Sequence, residues 1–235
     1  MVVANLLAVL LRTTKLKKFK LFQEDIPEDL LEYYRVAGLL AVDTELTGLN
    51  LFRDKIATIQ LSDGYKHTLV QISRQGWIPE NLKALLENKS VEKVFHFALL
   101  DVCFLQKDLN IETRNFQCTK VMSKIVRTYT QWHGLRDLAE ELLDIKLDKK
   151  TRETCWFGEE LSKDQINYAI GDVVWLLDIY RKLNELIESR GLLGSGRSCQ
   201  DINQAAQEAM THLVPLIVSG YGDKDPWDLG WLYKY

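Results

Sequence analysis

The stretch Leu39-Leu40-Ala41-Val42-Asp43 constrains this chain more than any other. An unbroken apolar run that ends in an acid has the pattern of a strand buried in the middle of an α/β sheet. Glu45 follows two residues on. Residues i and i+2 of a strand point to one face, so Asp43 and Glu45 project together at its carboxyl end. Open α/β sheets place their ligands at that end. Two acids so close repel unless a hard cation stands between them. Taken alone, D-x-E is a weak signal, because the same letters also open ordinary loops.

The neighbouring segments supply the rest of a sheet. KIATIQLSDG alternates and ends in Asp63-Gly64, and HTLVQI follows, so the two read as a hairpin. VEKVFHF is a further strand and NFQCT a short fifth. Residues 17–22 read as a short strand or an extended lead-in. IPEDLLEYYRVAG has proline at a helix start, Leu30, Leu31 and Tyr34 at helical spacing, and Gly38 as a stop. PENLKALLEN and ALLDVCFLQKDL are helical. From Lys120 onward helical periodicity dominates, and LLGSGRS is the clearest linker. This order predicts an α/β fold: a mixed five-stranded sheet flanked by helices, with a C-terminal helical tail. The expected divisions are a disordered extension over 1–16, a main domain over 17–193, and a helix with an aromatic tail over 194–235. The tail DPWDLGWLYKY reads as packing on the domain.

With 46% hydrophobic residues in 235, the chain can bury a full core. Its net charge of −3 lacks the strongly basic footprint of many nucleic-acid binders. Two bound divalent cations would turn it slightly positive. The four cysteines lie far apart without a CxxC pair, and the four histidines do not sit at zinc spacing. Buried free thiols in a reducing cytoplasm fit that pattern. Residues 2–11 are apolar, but their basic residues follow rather than precede, opposite to a signal peptide. No run reaches membrane-spanning length, so no membrane is expected; no protein partner is predicted either.

Two further blocks carry chemistry. Tyr168 and Asp172 stand four apart in QINYAIGDVVWLL and share one helix face. A second Y-x-x-x-D, Tyr221 to Asp225, sits in GYGDKDP, where glycine and proline forbid a helix, so spacing alone decides nothing. A lone helical tyrosine is more often an amphipathic core residue. Asp101 falls in the first turn of the helix after KVFHF, where an acid also suits the helix N-terminus. His96 at that strand's end could touch a phosphate or merely satisfy the adjoining loop. Thr47-Gly48-Leu49 follows the first acids, and glycine there allows close backbone approach to a ligand.

Together these blocks resemble the tyrosine subclass of the DEDD 3′–5′ exonucleases, in its ribonuclease D-like branch. VDTELTGL looks like the first motif, VFHFALLDV the second and YAIGDVVWLL the third. The resemblance extends through IATIQLSDG and LDKKTRETCWFGEELSKDQINYA, over roughly residues 18–190. It implies a ribonuclease H-like fold and two-metal-ion hydrolysis of phosphodiesters. By this resemblance Asp43, Glu45, Asp101 and Asp172 hold two Mg²⁺ or Mn²⁺ ions. Tyr168 orients the attacking water, since a phenol with a pKa near 10 is a poor base at neutral pH. Thr47, Gly48, Leu49, His96, Trp156 and Phe157 meet the substrate, Leu49 as an apolar wedge and Trp156 or Phe157 as a stacking surface. The implied partner is nucleic acid with a free 3′ end, RNA favoured over DNA.

Some positions depart from the family pattern. Leu46 replaces a frequent Phe and Cys118 a frequent Asp. Phe157-Gly158-Glu159 stands where Arg-Pro often follows the tryptophan. No C-terminal HRDC domain is expected after Arg197, which bears on tRNA processing. The alternatives are a 3′–5′ DNA exonuclease and a non-catalytic binding module on the same fold.

Overall fold

The computed structural model describes residues 19–74, 76–147, 156, 160–194 and 196–220. The expected extension over 1–16, the aromatic tail, Cys155 and Phe157 lie outside the described residues. The sheet has six strands: β1 (Phe19–Gln23), β2 (Leu39–Leu46), β3 (Ile56–Ser62), β4 (His67–Gln71), β5 (Glu92–Phe95) and β6 (Phe116–Cys118). Their spatial order is β1-β4-β3-β2-β5-β6. The five-strand expectation was one short. The lead-in segment becomes β1, a parallel edge strand in register with β4 from Phe19↔His67 to Gln23↔Gln71. Strands β2, β3 and β4 form an antiparallel meander, and β5 and β6 add in parallel to the other side of β2.

The hairpin signal has a visible cause. Asp63 accepts hydrogen bonds from the backbone of Tyr65 and Lys66, and Gly64 takes φ 91°. Both devices close the β3–β4 connection.

Eight helices are described: α1 (Glu28–Ala37), α2 (Glu80–Leu86), α3 (Ala98–Leu109), α4 (Thr119–Val126), α5 (Leu135–Leu143), α6 (Lys163–Val174), α7 (Leu176–Arg190) and α8 (Cys199–Val218). Helix α1 ends where Gly38 adopts the left-handed conformation. The long helical stretch after Ser162 divides at Trp175 into α6 and α7. Helix α6 has a capping box, with Ser162 Oγ accepting from Gln165 N and Gln165 Oε1 accepting from Ser162 N.

One face of the sheet, with Leu40, Val42, Ile59 and Leu61, packs on α1, α2 and α3. Met210, Val214 and Ile217 of α8 belong to that same core. The other face meets α6 and α7 through Ala41, Val94, Val173, Leu176 and Leu177. Among the described residues no helix is long and apolar enough to cross a membrane.

Candidate active site

Asp43 and Glu45 lie inside β2 rather than at the start of a loop. They share parity with Ala41, so they point toward α6 and α7. Helix α6 brings Tyr168 and Asp172 to the same place. Asp43, Glu45 and Asp172 each offer an oxygen within 4.8 Å of the others, a grouping able to hold a metal ion. All three are half-buried.

Asp101 arrives from the opposite side of β2, and the sheet topology explains how. The β2–β5 ladder ends at Ala41↔Val94. Beyond that pair, the β2 edge is open to other partners. Phe97, before α3, has φ 71°, a left-handed turn that swings the helix start toward this edge. Asp101 Oδ1 then accepts from Thr44 N at 3.1 Å and Thr44 Oγ1 at 2.6 Å. Asp101 stands outside the 4.8 Å group, but its charge acts on Asp43.

The electrostatics follow from crowding. Burial, then Asp101, Asp172 and Glu45, push the Asp43 pKa well above the usual carboxylate range. Burial pushes Asp101 up to about 7, against the lowering effect of Thr44. Tyr168 is raised by burial and then by Asp172, Glu45 and Asp43, with Arg136 opposing them. The phenol therefore stays protonated and can donate a hydrogen bond, while it cannot serve as a base near neutral pH. Carboxylates held together at this cost are the donor set of a hard divalent cation. Gln60 faces Asp43 across the β2–β3 pair, and its buried Oε1 has no hydrogen-bond partner among the described residues. A bound group or solvent is needed to satisfy it.

The loop after β2 is rigidly built. Thr47 N bonds Lys55 O, and Lys55 N bonds Thr47 Oγ1, both at 2.9 Å. Asp54 accepts from Asn50 N and from the Arg53 guanidinium. A Cβ on Gly48 would stand 2.3 Å from Asp54 Oδ2, so glycine is required for the Asp54 carboxylate to close the loop. The loop's Leu49 is 63% exposed.

His96 Nδ1 lies 3.0 Å from Thr119 Oγ1, whose own proton goes to Phe95 O. The imidazole therefore donates through Nδ1. Burial, helped by Lys120, lowers its pKa to about 3, so the ring is neutral and Nε2 is an acceptor. Such a nitrogen suits a hydroxyl better than a phosphate oxygen. The expectation for Trp156 needs correction. It is 6% exposed and packs on the Tyr168 ring at 6.3 Å between centroids, so it supports the phenol instead of offering a face to a base. At Cys118, where the family often has Asp, the buried thiol lies among backbone N–H groups of Val121, Ala98, Phe97 and Lys120.

Sequence reading passed over Thr44, Gln60 and Arg136. Thr44 sat within the D-x-E motif as an unread letter. Nothing in the local pattern of Gln60 or Arg136 marks them.

A family model described as 3′–5′ exonuclease matches residues 19–188. Ribonuclease D of Cronobacter turicensis is 28% identical over 183 residues, 77% of this chain and 49% of that protein. The chain spans about half the length of the ribonuclease D relatives from C. turicensis and Escherichia coli. Among solved structures, Brucella melitensis NrnC superposes with a TM-score of 0.80 at 30% identity, covering 88% of this chain and 97% of that one. NrnC has also been solved bound to pGG and with bound Mg²⁺. Escherichia coli RNase D, described as an exoribonuclease involved in structured RNA processing, matches with a TM-score of 0.67 at 25% identity, covering 83% of this chain and 51% of that one. With a model match over most of its length and three acids converging from β2 and α6, the chain belongs to the 3′–5′ exonuclease family, in its ribonuclease D-like branch.

Proposed function

We propose that this chain is a metal-dependent 3′–5′ exoribonuclease that releases nucleoside 5′-monophosphates. The observation that carries this reading is the meeting of Asp43, Glu45 and Asp172 within 4.8 Å beside a protonated Tyr168. Water attacks the phosphorus of the last phosphodiester, and the bond from phosphorus to the 3′-oxygen breaks. That oxygen leaves with a proton, as the new 3′-hydroxyl of a chain one nucleotide shorter. Asp43, Glu45 and Asp172 would hold one divalent ion, and Asp43 with Asp101 a second. When bound, such ions lower the pKa of water and neutralise charge on the phosphoryl oxygens. Tyr168 donates its hydroxyl proton to aim the attacking water. Thr44 fixes one oxygen of Asp101 and so turns the other toward the site. Leu49 stands against the last base, and His96 Nε2 accepts from a sugar hydroxyl.

RNA is favoured over DNA because relatives named ribonuclease D, and a solved structure described as an exoribonuclease, act on RNA by those names. Short substrates gain weight from the full-length likeness to a protein solved with pGG. Two ions, rather than one, and Mn²⁺ as a substitute for Mg²⁺ are part of the same proposal.

The test uses 5′-labelled linear RNA, its DNA counterpart, a dinucleotide and a circular RNA, with Mg²⁺, Mn²⁺ or a chelator. The linear RNA should shorten from its 3′ end one nucleotide at a time, and chelator should stop it. Cleavage of the circle would replace this reading with an endonuclease. Faster loss of DNA than RNA would move the substrate class to DNA.

A further inference from the structure

Between Glu112 and Asp137 the chain carries five Lys or Arg and no Asp or Glu, although its net charge is −3. Two of those cations, Lys120 and Arg136, come close to His96 and Tyr168 of the site. Lys120, at the start of α4, places its ammonium 4.2 Å from the centre of the Phe97 ring, just before the helix that bears Asp101. It is also close enough to His96 to disfavour protonation there. At the other end, Leu135 packs against the cluster of Ala41, Val94, Val173, Leu176 and Leu177, and Arg136 is close enough to act on Tyr168. Lys124 lies between, exposed, one turn beyond Lys120. Burial of His133 lowers its pKa, and Arg127, Lys124 and Lys120 add to that effect.

The segment that joins the two ends, residues 127–134, is pinned from within. Arg127 is 1% exposed and donates Nη1 to Ser123 Oγ at 2.9 Å and to Trp132 O at 2.8 Å, and its other edge pairs with Glu141. Ser123 Oγ also meets His133 Nδ1 at 2.8 Å. Trp132 N donates to Thr130 Oγ1 at 3.1 Å. Every one of these bonds to Trp132 uses its backbone. Its side chain stays 71% exposed, as does Tyr129. A buried guanidinium thus holds a preformed loop that presents an indole to solvent, next to His133 and three residues before Leu135.

We infer that the segment from Lys120 to Arg136 forms a wall that binds the nucleotides upstream of the scissile bond in a single strand, with Lys120, Lys124 and Arg136 facing phosphates and Trp132 stacking on a base. The inference rests on the exonuclease reading above and names how that site holds its polymer. The local positive charge calls for a polyanion. An exposed, rigid aromatic calls for unpaired bases, because a duplex buries their faces. Continuity with the cluster puts the strand where hydrolysis needs it.

The test measures binding of a 5′-labelled RNA heptamer by anisotropy with Ca²⁺ in place of Mg²⁺. Trp132→Ala should weaken binding about tenfold, and Trp132→Phe should recover most of it. Lys124→Ala should flatten the dependence of log K on log salt by about 0.7 for one lost phosphate contact on a single strand. With Mg²⁺, the ratio of kcat/KM for the heptamer to that for a p-nitrophenyl ester of a nucleoside 5′-monophosphate should fall in both variants. Metal-induced thermal stabilisation identical to wild type shows that the variants are folded. Heptamer binding unchanged in both variants overturns the inference. So does a change in sedimenting mass for Trp132→Ala, which assigns the indole to a second copy of the chain. Wild-type cleavage of RNA with unaltered variants would sink the wall and keep the exonuclease. RNA binding through Trp132 without hydrolysis would do the reverse.

Discussion

Asp43 and Asp54 stand at the two ends of one strand-and-loop unit, and their pKa values move in opposite directions. Asp54 is only 8% exposed, yet it is held below the usual carboxylate range. The Arg53 guanidinium and the Asn50 N–H supply what water would. Asp43 is raised first by burial and then by neighbours that are mainly other acids. Burial alone therefore does not decide the fate of a carboxylate here. The donors around it do. The loop acid is satisfied by the protein and serves stability. The strand acid is left in a crowd that a cation relieves, and it serves chemistry.

The largest effect that can break this contrast is Asp43→Asn. Activity should fall about three orders of magnitude or more, equivalent to roughly 4 kcal/mol of barrier. The metal-free protein should melt at a higher temperature than wild type, because one repelling charge is gone. Thermal denaturation with and without Mg²⁺ checks both halves. A metal-free mutant less stable than wild type would show that Asp43 is a structural acid like Asp54.

Tyr168→Phe sharpens the split between holding and aiming. It removes one hydroxyl and leaves the ring against Trp156. The rate should drop about 10²–10³-fold, while the Mg²⁺-induced rise in melting temperature persists. A wild-type rate in this variant would leave the phenol as a packing residue only.

Thr44→Val tests whether Asp101 belongs with the strand acids or the loop acids. The change keeps the β-branched shape and removes the donor at 2.6 Å. A charge-assisted bond of this kind contributes about 1.5–3 kcal/mol. About a tenfold rise in the Mg²⁺ concentration giving half-maximal rate is expected, with recovery in Thr44→Ser. No shift in that midpoint would mean that the backbone N–H of Thr44 alone sets the carboxylate.

Asp54→Ala should show the opposite profile to Asp43→Asn. Stability should fall by about 1–2 kcal/mol as the loop loses its organising acceptor, and the Mg²⁺-induced shift should stay intact. Chemical denaturation measures the first and thermal denaturation the second.

The last effect, a small one per pH unit, is in pH. Asp101 is raised to about 7 without metal, against about 3.9 for an unfolded Asp. Between those values the folded state binds more protons than the unfolded one. Metal-free stability should therefore fall as pH rises from 5 to 8, by at most about 1.4 kcal/mol per unit for one group. Saturating Mg²⁺ should flatten the slope, because a bound ion needs ionised carboxylates. A flat metal-free profile would place Asp101 among the satisfied acids.

Much of this molecule was legible in its letters. The apolar run before Asp43, the Asp63-Gly64 turn and the i, i+4 pair Tyr168–Asp172 are local patterns, and short-range sterics and periodicity largely determine them. D-x-E on a strand fixes a shared face before any partner is known. The resemblance of the three motifs then named the chemistry. The sequence also carried the basic run between Glu112 and Asp137, but net charge concealed it, because an average over the chain erases a local excess.

Only the tertiary structure decided the rest. That Asp101 reaches Thr44 depends on where the β2–β5 ladder stops and on a left-handed Phe97. The burial of Trp156 against Tyr168 depends on the packing around α6. The edge strand β1 exists because β4 offers it a parallel partner, an event no local propensity records. Lys120 of α4 and Arg136 of α5 reach His96 and Tyr168 from either side of a loop that Arg127 holds. Each of these is a contact between residues distant in sequence. Such contacts are set by which surfaces fold together, and a one-dimensional pattern holds that information only jointly, in the whole chain at once.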